Sequence, residues 1–262
     1  MSAAIDDIAI RVEGLTMAYG QRVIQRDLNF EVRRGARFVI MGESGCGKST
    51  LLKHMIGLLE PSTGRVEVEG TDPWTMAPSE RGRLARAFGV LYQSGALWSS
   101  MTVAENVALP LEQYTDFPAE RVYELVRLKL ALVGLADAAD RYPSEISGGM
   151  RKRAGLARAM ALDPQVLFLD EPSAGLDPVS SALLDELILE IGESLGTTFV
   201  IVSHELASIF AIATDSVFLD ADTKTQLDVG PPRELAHGGS PKVRRFLARA
   251  AHVDQPTEGA AT

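Results

Sequence analysis

The segment Gly42-Glu43-Ser44-Gly45-Cys46-Gly47-Lys48-Ser49-Thr50 has a glycine, four residues, then Gly-Lys-Ser. That spacing suits a phosphate group. Its glycines let the backbone N–H groups converge on an anion, and a following helix adds the partial positive charge of its first turn. Lys48 can reach the outer phosphates, and the Ser49 hydroxyl can ligate Mg²⁺. The flanks agree with this chemistry. Phe38 to Met41 is an apolar run that reads as a buried strand, and Leu51 to Ile56 reads as a helix.

Three more apolar runs end in the same way. Those ending at Tyr92, Leu169 and Val202 stop at Gln93, at Asp170-Glu171 and at Ser203-His204. Asp170 suits the metal of a bound nucleotide, directly or through water. Glu171 can face a water in line with the terminal phosphate, as general base or orienter. Gln93 offers a carbonyl to the metal and an amide to the water. His204 can hold the phosphate or the water. Each residue also has a plain alternative, Asp170-Glu171 as a helix cap with a solvated neighbour and His204 as an ordinary surface histidine. Their shared place at strand ends favours the functional reading.

Continuous apolar strands alternating with helices predict an α/β fold with a mainly parallel sheet covered on both faces. Ligands bind such sheets at the carboxyl ends of the strands. The four tips are therefore expected along one edge. Ahead of them, Ile8 to Val12, Val23-Ile24 and Leu28 to Val32 predict an antiparallel β region, followed by a short strand from Arg65 to Glu69. Glu80 to Ala87 reads as an arginine-rich helix. Between Ser94 and about Met160 the pattern turns helical, over Thr102–Leu109, Ala119–Val133 and Gly149–Ala161, which predicts an inserted helical subdomain. Asp177-Pro178 starts a helix running to about Leu195, with an apolar stripe of Val179, Leu183, Leu187 and Ile191. Leu206 to Ala213 reads as a helix, and Ser216–Leu219 with Gln226–Val229 as a closing strand pair. The expected division is a nucleotide-binding domain over 1–240, its helical subdomain at about 94–160, then a short basic helix from Lys242 to Ala251 and a polar tail within 241–262.

A second anion-binding segment is Ser147-Gly148-Gly149, which opens a helix carrying Lys152, Arg153 and Arg158. It lacks the lysine of a self-sufficient phosphate loop. It reads either as half of a nucleotide site completed by another copy or as a helix start with a solvated basic face. Tyr19 is either a rim aromatic or a flat surface for a nucleobase.

Composition narrows the classes. The 262 residues are 46% hydrophobic, enough for one large domain. With 26 basic against 35 acidic residues the net charge is −9, so the basic excess of a nucleic-acid binder is missing. Cys46 is the single cysteine, which suits a reducing compartment and fits the loop as a small filler. The first seven residues do not read as a signal peptide, and no run approaches the roughly 18 apolar residues of a membrane span.

Taken together, the phosphate loop, Gln93, Ser147-Gly148-Gly149, Val166 to Pro172, Ser173 to Asp177 and His204 resemble the ATP-binding subunit of an ABC transporter, over roughly Ile8 to Leu235. The resemblance implies a P-loop NTPase core, ATP and Mg²⁺ as ligands, and a head-to-tail homodimer with two ATP molecules between the copies. It implies adenine stacking by Tyr19, contact of Ser147 and Gly149 with the partner's γ-phosphate, and Asp177 in the loop crossing the interface. Met150 stands where the family usually has Gln. That substitution, with Ser94 to Leu97, Met101 to Leu111 and Asp170 to Pro178, resembles the ATPases of Mla-type phospholipid transporters. This narrower resemblance implies a permease at the cytoplasmic face of the inner membrane, an MCE-domain lipid-binding protein and a small STAS-domain protein. The apolar stretch from Gln93 to about Pro110 is the expected docking groove for a permease helix. A soluble ABC ATPase of translation or DNA repair would carry two ATP domains or a long coiled-coil insertion, and neither is visible. A non-hydrolysing regulator would not need Glu171 and His204.

Overall fold

The computed structural model describes residues 7–77, 80–82 and 86–249. Ile8–Tyr19 (β1), Arg22–Arg33 (β2) and Thr63–Val68 (β4) form an antiparallel sheet in the order β2-β1-β4. Arg37–Gly42 (β3), Phe88–Leu91 (β5), Val166–Asp170 (β6), Thr198–Val202 (β7), Asp215–Leu219 (β8) and Gln226–Val229 (β9) form a second sheet, ordered β5-β6-β7-β3-β8-β9. Its pairs are parallel except β8 with β9.

The continuous apolar runs are explained by burial on both faces. Phe38 and Ile40 of β3 join a core with Phe168, Val200, Val202, Val217 and the antiparallel sheet. The alternate residues Val39 and Met41 join Leu167, Leu169, Phe199, Ile201 and the helices of the other side. Helix Lys48–Met55 (α1) is held between the two sheets by Leu51, Leu52 and Met55, which belong to the first core.

The opposite face carries Val103–Tyr114 (α2), Ala119–Leu132 (α3), Gly148–Ala159 (α4) and Pro178–Leu195 (α5). Thr102 and Glu105 form a reciprocal capping box at the start of α2. Asp177 caps α5 by accepting from Val179 and Ser180. Beyond lie Leu206–Ile212 (α6), Pro232–Gly238 (α7) and Pro241–Ala248 (α8).

Several boundaries differ from expectation. β2 is one strand and takes in Asp27 at φ 50° instead of breaking there. α2 continues through Pro110, because buried Leu111 anchors its last turn and its carbonyl accepts from Thr115 Oγ1. α7 occupies a stretch, Pro232–Gly238, to which the sequence reading assigned no element. The face of α5 is rotated: Leu184, Leu187, Ile188 and Ile191 are buried, while Val179 and Leu183 are 69% and 50% exposed. In the arginine-rich segment, residues 80–82 are helical. Residues 83–85 lie outside the described residues, as do the first six residues and the expected tail after 249.

Candidate functional site

The four tips lie on adjacent strands, in the order β5-β6-β7-β3. Above them is a cavity of about 760 Å³, lined by the loop from Gly42 to Thr50, by Gln93, Glu171 and His204, and by Ile24, Leu206, Phe246 and Arg249. Residues more than 150 positions apart in the chain thus meet because parallel strands end together.

The phosphate loop is fixed by close packing from below. Gly42 sits at φ 149°, and a Cβ there would lie 2.4 Å from the Leu219 carbonyl oxygen and 2.8 Å from Cys46 Sγ, so only glycine fits. Cys46 is buried, and burial pushes its thiol pKa up against the pull of Lys48. It acts as the small filler expected. Lys48 is 8% exposed and donates to the carbonyls of Gly42 at 3.0 Å and Glu43 at 3.2 Å. Its ammonium is therefore already held over the loop.

Gln25 of β2 is fully buried. Its amide donates to the Cys46 carbonyl at 2.6 Å and the Asp220 carbonyl at 2.9 Å. It pins the underside of the loop to the end of β8.

Ser49 Oγ donates to Asp170 Oδ1 at 3.0 Å, which brings together a hydroxyl and a carboxylate on one side of Lys48. Next along the chain, Glu171 adopts φ 49°. Such left-handed backbone in a non-glycine residue costs on the order of 1–3 kcal/mol and collects at functional sites. Its carboxylate oxygens lie 2.8 and 2.9 Å from His204 Nδ1. An ionised carboxylate only accepts, so this contact places the ring proton on Nδ1 and leaves Nε2 free. Lys152 Nζ donates to the Glu171 backbone carbonyl at 3.0 Å. Burial lowers the Lys152 pKa, and the carboxylates of Glu171, Asp170 and Glu205 oppose that shift.

Ser147, Gly148 and Gly149 head α4 outside this cavity, with Ser147 Oγ accepting from the Met150 N–H at 3.2 Å. Met150 packs partly against the helical-side core, which accounts for an apolar residue there. Asp177 heads α5, also outside the cavity. Tyr19 is half exposed at the tip of the β1–β2 hairpin, paired with Arg22, and the cavity's β2 side is Ile24.

A family model described as ABC transporter matches residues 25–174, more than half of the chain. The chain belongs to the ABC transporter family. This ABC ATPase binds and hydrolyses ATP. It is 41% identical over 240 residues to a probable ribonucleotide transport ATP-binding protein, Mkl of Mycobacterium leprae, covering 92% of this chain and 69% of that one. It is 40% identical over 238 residues to the intermembrane phospholipid transport system ATP-binding protein MlaF of Haemophilus influenzae, covering 91% and 89%. MlaF of Escherichia coli K12 is 39% identical, with 91% and 88% covered. Among solved structures, cbiO1 of Clostridium perfringens, part of the ABC transporter complex cbiONQ, superposes with TM-score 0.82 at 25% identity, over 95% of this chain and 96% of that one. A dimeric ATP-binding cassette holding ADP and Pi superposes at 0.75, over 84% and 97%. At 24% identity it shows the fold alone.

Arg153 and Arg158 of α4 and Lys242 of α8 are braces where a solvated face was one expectation. Arg158 donates to the carbonyls of Ala96 and Gly95 at 2.8 and 3.2 Å, fixing the loop after Gln93. Arg153 donates to the Val133 carbonyl at 3.0 Å. On α8, Lys242 pairs with Asp220, with Asp222 at 2.6 Å and with Glu43 of the phosphate loop at 3.5 Å. Burial raises the Asp220 pKa, but hydrogen bonds from Lys242 and Thr223 outweigh it and bring the carboxyl to about 2. Gln25, Lys152 and Lys242 escaped the sequence reading. Gln25 fell between the predicted strands and out of phase with Leu28, Phe30 and Val32, and the irregularity around Asp27 is what turns it inward.

Replacing Gln25 by Leu leaves the Cys46 and Asp220 carbonyls without their buried donor. The Gln25→Leu chain is expected to lose about 1–3 kcal/mol of stability and to bind ATP more weakly. Denaturant unfolding and nucleotide titration check this, and unchanged values in both would show that the loop does not depend on Gln25.

Proposed function

We propose that this ABC ATPase works as a head-to-tail homodimer that drives an integral-membrane permease moving phospholipid between membranes. The carrying observation is the 40% identity to an intermembrane phospholipid transport ATP-binding protein across about nine tenths of both chains. The Mkl relatives favour a second reading, ribonucleotide transport, but this chain spans only about two thirds of their length. Among the described residues no helix is long and apolar enough to cross a membrane, so in this reading the permease supplies the pathway. The ATPase sits at the cytoplasmic face of the inner membrane, with an MCE-domain protein and a STAS-domain protein as further partners. The helical subdomain at about 94–160 receives the permease. Of its expected groove, Val103, Val107 and Leu111 are core, while Trp98 is 59% exposed. Trp98 is held in place by Asn106, which accepts from its N–H at 2.7 Å and donates to its carbonyl at 3.1 Å.

Within one ATP site, Lys48 exchanges its two loop carbonyls for β- and γ-phosphate oxygens. Tyr19 stacks on adenine. Ser49 and Asp170, with Gln93, would hold Mg²⁺. Among the described residues no group of three or more His, Cys, Asp or Glu could hold a metal. The Ser49 hydroxyl and Asp170 carboxylate, 3.0 Å apart, are oxygen donors of the kind Mg²⁺ takes, one or two from protein besides phosphate and water. When bound, the ion neutralises charge on the phosphates. Glu171 accepts a proton from the attacking water as its oxygen bonds to the γ-phosphorus and the bond to ADP breaks. His204 Nδ1–H steadies the Glu171 carboxylate, which leaves Nε2 for the phosphate side. Ser147 and Gly149 of the partner copy close over the γ-phosphate, and Asp177 lies in the crossing loop.

Three outcomes test this reading. Glu171→Gln is expected to lower turnover by about 10²–10⁴-fold while retaining ATP and trapping the dimer, as read by phosphate release and gel filtration. Near-normal turnover would remove Glu171 from the chemistry. Ser147→Arg is expected to abolish hydrolysis yet leave ATP binding to the isolated copy intact. Mixed with Lys48→Ala chains it should regain activity from one intact composite site, and complete inactivity of every mixture counts against shared sites. For the cargo, the ATPase reconstituted with its co-purifying permease in proteoliposomes is expected to move labelled phospholipid when ATP is present. Movement of a labelled ribonucleotide instead would select the second reading.

A further inference from the structure

Lys152 lies in the second turn of α4, is 5% exposed, and faces the carboxylates of Glu171, Asp170 and Glu205, yet the hydrolytic roles above give it no part. A buried ammonium is unfavourable unless it is partnered. Its hydrogen bond goes to a backbone oxygen, the Glu171 carbonyl at 3.0 Å. That oxygen also accepts from the Ala174 N–H at 3.2 Å, and the Glu171 N–H donates to the Val202 carbonyl at 2.9 Å. Three bonds therefore hold the left-handed turn from which the Glu171 carboxylate projects toward His204. One is made within the turn itself and one to β7. The third comes from α4.

That helix begins at Ser147, five residues before Lys152. Its first turn presses on the segment following Glu171. A Cβ added to Gly149 would lie 3.1 Å from Ser180 Oγ, and Ser180 Oγ donates to Asp177 Oδ2 at 2.6 Å. Gly155, further along α4, approaches the Gly95 carbonyl so closely that a Cβ would stand 3.0 Å from it. α4 therefore has little freedom to shift without moving what it touches, and Lys152 is its contact with Glu171.

We propose that Lys152 is a positioning residue for hydrolysis, tying the helix that meets the partner copy's nucleotide to the backbone of Glu171 in its own copy. This rests on the head-to-tail reading given above. Occupancy of one ATP site then moves α4, and Lys152 Nζ passes that movement to the residue that handles water at the other site. Lys152 Nζ is the donor through which this coupling reaches Glu171.

The test is steady-state ATP turnover of the full-length homodimer carrying Lys152→Met or Lys152→Arg, with nucleotide binding measured separately. Met keeps the length of the apolar stem and donates nothing, whereas Arg keeps charge and donor. Lys152→Met is expected to lower kcat by about 10- to 100-fold and to change the ATP dissociation constant by less than about twofold. Its Hill coefficient should fall toward about 1. Lys152→Arg should recover at least about half of the parent kcat, a rescue that loss of packing alone would not give. A Lys152→Met enzyme within about twofold of the parent kcat, or an Arg variant no better than the Met variant, overturns the proposal. If Lys152→Met does not fold, Lys152→Leu, which likewise donates nothing, is judged by the same criteria. Failure of shared sites has a different signature, in which Ser147→Arg still hydrolyses ATP and the parent itself is non-cooperative.

Discussion

Parallel pairing of β3 with β7, β7 with β6 and β6 with β5 is the constraint on which the site depends. It aligns Ile40 with Val202, Asp170 with Val202 and Leu91 with Leu169, so the phosphate loop, His204, Asp170-Glu171 and Gln93 all emerge from one edge. The register is enforced by burial on both faces. Phe38 and Ile40 belong to one core and Val39 and Met41 to the other, and a slip of one residue would exchange every side chain between them. The geometry of the candidate site is thus inherited from hydrophobic packing. The polar residues add to a placement that the strands have already made.

Around that edge, buried or half-buried cations and amides hold the loops by their backbone carbonyls. Lys48 and Gln25 hold the phosphate loop, Arg158 holds the loop after Gln93, and Lys152 holds Glu171. Backbone carbonyls suit this task because their positions are set by secondary structure, and a charged donor forms a stronger bond than a neutral one. The arrangement explains why α4 is both basic and poorly exposed. It also brings α8 into the site, since Lys242 couples Asp220, at the end of β8, to Glu43.

The chemistry-bearing residues were legible because each ended an apolar run, and runs of that kind admit few topologies. The braces were not legible, because a buried lysine and a solvated one look alike in sequence. Lys152, Arg153 and Arg158 share a helix with exposed Arg151, and no local pattern separates them. On α5 the apolar residues fit two overlapping stripes sharing Leu187 and Ile191. The packed sheet selected the one containing Leu184 and Ile188 and left Val179 and Leu183 outside. The helix α7 is only seven residues long, between Pro231 and Gly239, too short for an apolar stripe to mark it. Ser147 and Asp177 head their helices outside the cavity, where the proposed head-to-tail dimer would bring the partner's nucleotide.

The central claim is that one nucleotide is gripped by two copies of this chain. The structure of the Glu171→Gln protein with ATP and Mg²⁺ tests it most directly. The account predicts a γ-phosphate between Lys48 of one copy and Ser147 of the other, at two equivalent sites. ATP bound to a lone copy, or to a dimer joined through surfaces that leave Ser147 in solvent, would contradict it.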